Sequence, residues 1–143
     1  MLILTLLIAC GAGTLRCDLD DASPGTMALT IDDVAWSGPL SWQLAGDSLQ
    51  LNASEVDGQW VTAVGQETID GDGAEAALDA LPATFDLSSG GWAIVYTGSS
   101  SDRSASGTLE VQEDDGGRLL GCVAFETEAG TSVDGAFSAE AAR

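Results

Sequence analysis

Histidine and lysine are both missing from the 143 residues, and each absence removes a class of chemistry. Without imidazole there is no Ser-His-Asp or Cys-His relay, no His-ligated zinc and no general base titrating near neutrality. Without a side-chain amine there is no Schiff base and no phosphate-binding P-loop lysine. Positive charge rests on four arginines, Arg16, Arg103, Arg118 and Arg143, against 23 acidic side chains, for a formal net charge of -19. A surface this anionic repels nucleic-acid phosphates and acidic head groups, which argues against nucleic-acid binding and against charge-driven attachment to acidic membranes. Diffuse acidity suits solubility in a salty medium, where screening weakens self-repulsion; divalent cation binding is the sharper alternative.

Hydrophobic residues nonetheless make up 45% of the chain, diluted by 18 glycines, so the composition is that of a globular domain with a modest core. The length suits one domain. Residues 1–9 (MLILTLLIA) are uncharged and apolar, but a bilayer-spanning helix needs about 20 such residues. They read as the core of a signal peptide. Leu7-Ile8-Ala9-Cys10 resembles the bacterial lipobox. That resemblance implies a diacylglycerol on the Cys10 thiol and cleavage that makes Cys10 the new N-terminus. Two acyl chains, at about 0.8 kcal/mol per buried CH₂, anchor far more firmly than one. Gly11 follows where an Asp would favour inner-membrane retention in enteric bacteria, so the resemblance points to the outer membrane or cell surface.

With Cys10 assigned to lipid, Cys17 and Cys122 remain. In an oxidising compartment they could pair, closing a loop of roughly 105 residues and contributing about 2–4 kcal/mol. The alternative is a buried free thiol at Cys122, inside the apolar run LLGCVAF, with Cys17 exposed. Two cysteines without histidine make a poor zinc site.

Residues 10–26, from the lipidated cysteine through GAGTLRCDLDDASPGT, lack periodicity and read as a flexible tether, which leaves residues 27–143 as an acidic all-β domain. Period-two alternation then dominates, as in Met27, Leu29 and Ile31, in Leu40, Trp42 and Leu44, and in Leu49 and Leu51 after the turn AGDS. Residues 60–64 alternate with apolar groups on both faces. GAEAALDAL (73–81) is the single helical candidate, stopped by Pro82. Further strands are expected at 83–87, 92–97, 107–112, 119–127 and 132–139, separated by Gly-, Ser- and Asp-rich turns, among them TGSSSDRSAS at 97–106. About eight short strands with one short helix imply an antiparallel β-sandwich or a small barrel.

The segments Ile31-Asp32-Asp33-Val34-Ala35-Trp36, Gly107-Thr108-Leu109-Glu110-Val111, Leu119 to Phe125 and Val133-Asp134-Gly135-Ala136-Phe137 resemble those of a family of bacterial exported lipoproteins of unknown function. The resemblance implies a small β domain and an export route, and assigns no functional residue.

Three constellations invite chemistry. Thr68 to Asp79 resembles a degenerate calcium loop, with Asp70, Asp72 and Asp79 as the weak ligand set; the plainer reading is a solvated Asp-Gly turn leading into the helix, with Asp72 as its N-cap. Paired carboxylates could hydrolyse glycosides, but among 23 acids some pair falls at a suitable spacing by chance. Trp42, Trp60 and Trp92 sit in apolar strands and are expected in the core, which leaves Trp36, beside Ser37-Gly38-Pro39, as the candidate for an exposed stacking residue. The expectation is therefore a non-enzymatic lipoprotein of the bacterial envelope, without a cofactor, held to the membrane by its lipid and meeting an envelope protein or a glycan. Its alternative is a carbohydrate- or calcium-binding module.

Overall fold

Short alternating segments separated by tight turns can bury their apolar parity only by closing on one another. The computed structural model describes residues 18–142, and in it that closure is complete. Nine strands form: β1 (Thr26–Ile31), β2 (Val34–Ala45), β3 (Ser48–Ala53), β4 (Gln59–Gly65), β5 (Ala83–Asp86), β6 (Gly91–Thr97), β7 (Ser100–Asp115), β8 (Arg118–Thr127) and β9 (Ser132–Ala141). Eight of them make an antiparallel barrel in the order β1-β2-β3-β4-β6-β7-β8-β9, with β9 pairing back onto β1. The expected all-β class with one short helix is the class observed.

The connections follow turn chemistry. Asp32 (φ 47°) and Asp33 (φ 68°) both occupy the left-handed region, as a two-residue type I′ hairpin between β1 and β2 requires. Aspartate is among the few residues that enter that region readily, and Asp32 is also tied across the fold, its Oδ1 accepting from the Ser132 amide at 2.9 Å. Gly116 and Gly117 play the same part between β7 and β8.

Two strands are long because each serves both sides of the barrel. β2 pairs with β1 through residue 39 and with β3 from residue 40, the change falling at Gly38-Pro39. β7 pairs with β6 through residue 103, then runs along β8 past a bulge between Ser104 and Ser106. Each bend exposes ladder groups that are then filled. The end of β9 lies parallel to β2 at Ser41 and Trp42, and β5 runs antiparallel to β7 at residues 108–111. Ser104 is the staple at the second bend: its buried hydroxyl accepts from the Ala93 amide at 3.0 Å and donates to the Leu87 carbonyl at 2.6 Å. A serine inside a buried parity is tolerated there because both of its bonds are made.

Buried side chains from every strand fill the barrel, with Phe85, Phe137, Met27, Leu49, Leu51 and Leu109 the largest of those wholly enclosed. Eight strands leave an interior that side chains can fill. Gly65 shows how closely they do so, since a Cβ there would stand 2.6 Å from the Phe85 ring. The helix α1 is one turn, Ala74–Leu78, and buries Ala74 and Ala77. Its N-cap is Gly73 and not Asp72; the cap is supplied across the fold, by Asp47 Oδ1 accepting from the Glu75 amide at 2.8 Å.

Two boundaries differ from the sequence expectation. Part of the expected tether belongs to the domain: Leu19–Asp21 form a 3-10 turn on β9 and β8, and Ala22 is buried. The segment 97–106, expected as an open turn, is already strand from Ser100. The expected signal peptide at 1–9, the lipid-bearing Cys10 and Cys17 lie outside the described residues.

Candidate functional site

The outer wall has two unlike halves. On the strands β2 (second half), β3, β4, β6 and β7 (first part), cross-strand register sorts the outward side chains into three rows. One row runs Gln43, Gln50, Val64, Trp92. The middle row runs Ser41, Asn52, Thr62, Ile94, Arg103. The third runs Trp60, Tyr96, Ser101. No aspartate or glutamate stands in any of them, in a chain that holds 23.

The aromatic groups of this face are organised. Trp60 and Tyr96, direct cross-strand partners, stack with ring centroids 4.7 Å apart and planes within 9°. Such a pair contributes about 0.5–1.5 kcal/mol beyond its buried area. It leaves each ring with one face that the other does not cover. At the opposite margin the Arg103 guanidinium lies 5.4 Å from the centre of the Trp92 ring, a cation-π contact. Trp60, Trp92 and Tyr96 are all half-buried, while Gln43, Asn52, Ser101 and Arg103 are exposed. A hydrogen bond of 3.0 Å from Gln43 Nε2 to Gln50 Oε1 orders the amide end of the face.

The other half, formed by β1, β5, β8, β9 and the rest of β7, turns Asp134, Glu140, Glu126 and Asp86 outward. Glu110, on the same side, is buried, and its two oxygens accept from Thr84 Oγ1 at 3.3 Å and Gln112 Nε2 at 2.8 Å. Cys122 is its cross-strand partner and is fully buried, with Gln112 Nε2 at 3.8 Å from the sulfur. The Ser88 hydroxyl and then the Ser88 amide hold the Asp86 carboxyl below its ordinary value of 3.8; burial opposes them, and the Ser89 amide adds the least.

Among the described residues, clefts open at the ends of the barrel. One, of about 390 Å³, contains Asp32, Val34, Gln59, Asp102 and Thr131, but its carboxylates are committed: Asp102 accepts from Thr127 Oγ1 at 2.6 Å and from the Ala129 amide at 3.2 Å. Another, of about 490 Å³, lies between the β7–β8 turn and the end of β9, with Arg118 paired to Asp115 at 2.9 Å.

The sequence candidates fall differently from expectation. Trp36, expected exposed, is 9% accessible and packs in the core. Gly38 makes room for its indole, whose N–H donates to the Val56 carbonyl at 3.3 Å. Trp42 is half-buried against the core and donates to the Gly117 carbonyl at 2.8 Å. Trp60 and Trp92, expected in the core, stand on the outer wall instead. Asp70, Asp72 and Asp79 are all exposed, and among the described residues no three acidic or cysteine groups converge to hold a metal ion. The 68–72 loop is closed by its own groups, the Asp72 amide donating to Thr68 Oγ1 at 3.1 Å.

Arg103 was hidden from sequence reasoning inside the expected turn. The outward aromatics carried a signal, however: Trp92, Ile94 and Tyr96 share one parity of β6, and the other parity is Ala93 and Val95. On this strand the bulkier parity is the outer one, and the inner parity is filled by the small side chains of Ala93 and Val95. No protein family, curated protein or solved structure matches this chain.

Proposed function

We propose that this protein is a non-enzymatic interaction domain of the bacterial cell envelope, lipid-anchored through Cys10, that presents the acid-free face of β2, β3, β4, β6 and β7 to a partner. One observation carries the reading: three outward rows without a carboxylate, bearing Trp60, Trp92 and Tyr96, in a chain of net charge -19. Monomers rarely turn clustered aromatics outward without use for them, and such patches mark binding surfaces.

The place where the described chain begins supports the same orientation. The 3-10 turn after Asp18 packs on β9, and β9 and β4 stand four strands apart whichever way the barrel is counted. The 3-10 turn therefore lies on the wall opposite the aromatic face. A Cys17–Cys122 disulfide would fix that placement, and the packing of the 3-10 turn against β8, the strand of Cys122, favours it.

Two measurements test the reading. The mass of the protein from its own host is expected to show loss of residues 1–9 and a diacylglyceryl adduct on Cys10, and Cys10→Ser is expected to move the chain to the soluble fraction. A photo-crosslinker at Thr62 on the acid-free face is expected to capture envelope components, whereas one at Thr30 on the acidic half is not. Equal capture from both positions would refute the assignment of the binding face.

A further inference from the structure

We infer that the occupant of the acid-free face is an uncharged glycan chain, an inference that rests on the reading of that face as the binding surface. Charge comes first. A polymer without ionised groups feels no repulsion from a domain of net charge -19, unlike an anionic one, and the face itself adds no carboxylate to be desolvated or to attract a cationic chain. Donor and acceptor chemistry comes second. The middle row offers the Ser41 and Thr62 hydroxyls, the Asn52 amide and the Arg103 guanidinium, groups that exchange hydrogen bonds with hydroxyls without bringing negative charge. The third element is the pair of aromatic margins. Trp60 with Tyr96 lies on one side of that row and Trp92 on the other, so the C–H faces of sugar rings have a stacking surface at either edge.

Size decides against a globular occupant. At about 3.4 Å per residue and about 4.8 Å between strands, the three rows span roughly 14 Å along the strands and roughly 19 Å across them. That area, about 270 Å², is a third of the roughly 800 Å² that each partner contributes to a stable protein interface. A second copy of the chain would also bring its own -19 against the first. A slender chain lying across the strands along the middle row fits the dimensions without either difficulty.

The test is affinity electrophoresis of the full chain through gels carrying dextran, mannan, xylan or the neutral polysaccharide of the host envelope, with alginate as the anionic control. Retardation by at least one neutral polysaccharide and by no alginate is expected. Asn52→Asp and Thr62→Glu, which put a carboxylate that must be desolvated into the middle row, are expected to weaken it, and Trp92→Ala and Tyr96→Ala to weaken it about tenfold each. Thr30→Glu, on the acidic half, is expected to leave it unchanged. Asn52→Asp is nearly isosteric at an exposed position, so its result does not depend on how the larger replacements fold.

No retardation by any neutral polysaccharide overturns the inference, as does retardation indifferent to Asn52→Asp and Trp92→Ala. Binding to phosphatidylglycerol vesicles in place of glycans overturns it too. If Thr62 crosslinks an envelope protein while every gel is silent, the glycan is wrong and the face is right; if both are silent, both fall.

Discussion

The acidic half of the barrel wall and the acid-free half are both built of antiparallel hairpins, share one interior and are joined through the same two long strands. They differ most in which side chains occupy the outward parity. The inner parity is constrained by packing on both halves alike, from Leu49 and Val61 on one to Val123 and Phe137 on the other. Apart from covered positions such as Val64, Glu110, Cys122 and Ser138, the outer parity is freer of that constraint, so a difference there reports more on what the surface meets than on how the chain folds. An outward Glu126 or Asp134 favours solubility; an outward Trp60 or Trp92 costs solubility and therefore calls for a use.

If the halves are one cooperative unit, the largest effect comes from their shared interior. Phe85→Ala is expected to destabilise the protein by about 3–5 kcal/mol. Denaturant unfolding followed by tryptophan fluorescence and by far-UV circular dichroism should remain coincident, and two separated transitions would break the comparison into two domains. Ser104→Ala comes next. It leaves the Ala93 amide and the Leu87 carbonyl without their bridge at the bend of β7, at an expected cost of about 1–3 kcal/mol in the denaturation midpoint.

A smaller loss, about 0.5–1.5 kcal/mol beyond the area exposed, is expected for Trp60→Ala, from the stack with Tyr96. Sharpening the contrast, Thr30→Ala on the other half should be close to neutral by the same denaturant unfolding. The smallest effect belongs to Asp86. Its folded carboxyl titrates below the unfolded value near 3.9, so its contribution is present above that pH and fades as the pH falls through the lower folded value. Asp86→Asn should therefore narrow the stability gap to wild type only in acid, below about pH 4, and a gap that widened there would contradict the assigned hydrogen bonds.

Much of the architecture was legible because alternation and turn chemistry act locally. The strands of Met27, Leu49, Trp60 and Val133 follow from period two, and the turns between later strands from their Gly, Ser and Asp residues. The parts that were not legible depend on distant neighbours. The start of β7 reads as a loop because Ser101 and Arg103 face water and Ser104 faces inward, where its two hydrogen bonds replace hydrophobicity. Trp36 reads as a turn residue because the space that accepts its ring is made by Gly38 and Val56, which only folding brings into place. The inversion on β4 and β6, bulk outward and small residues inward, depends on the width of a barrel that no single strand can report. Asp70, Asp72 and Asp79 were grouped by sequence spacing alone, and three-dimensional placement keeps them apart.

The pairing of β9 with β1, sealed by the Gly25 amide donating to the Ser138 carbonyl at 2.8 Å, makes the wall a cycle with no first strand and no last. A gene rewired so that β9 is joined to β1 through a short linker, and cut open between Gly116 and Gly117, should encode the same wall with its ends at the tip of the β7–β8 hairpin. Such a permuted chain could be grafted onto a carrier from that rim, and the tryptophan-bearing side would keep its shape under a new point of attachment.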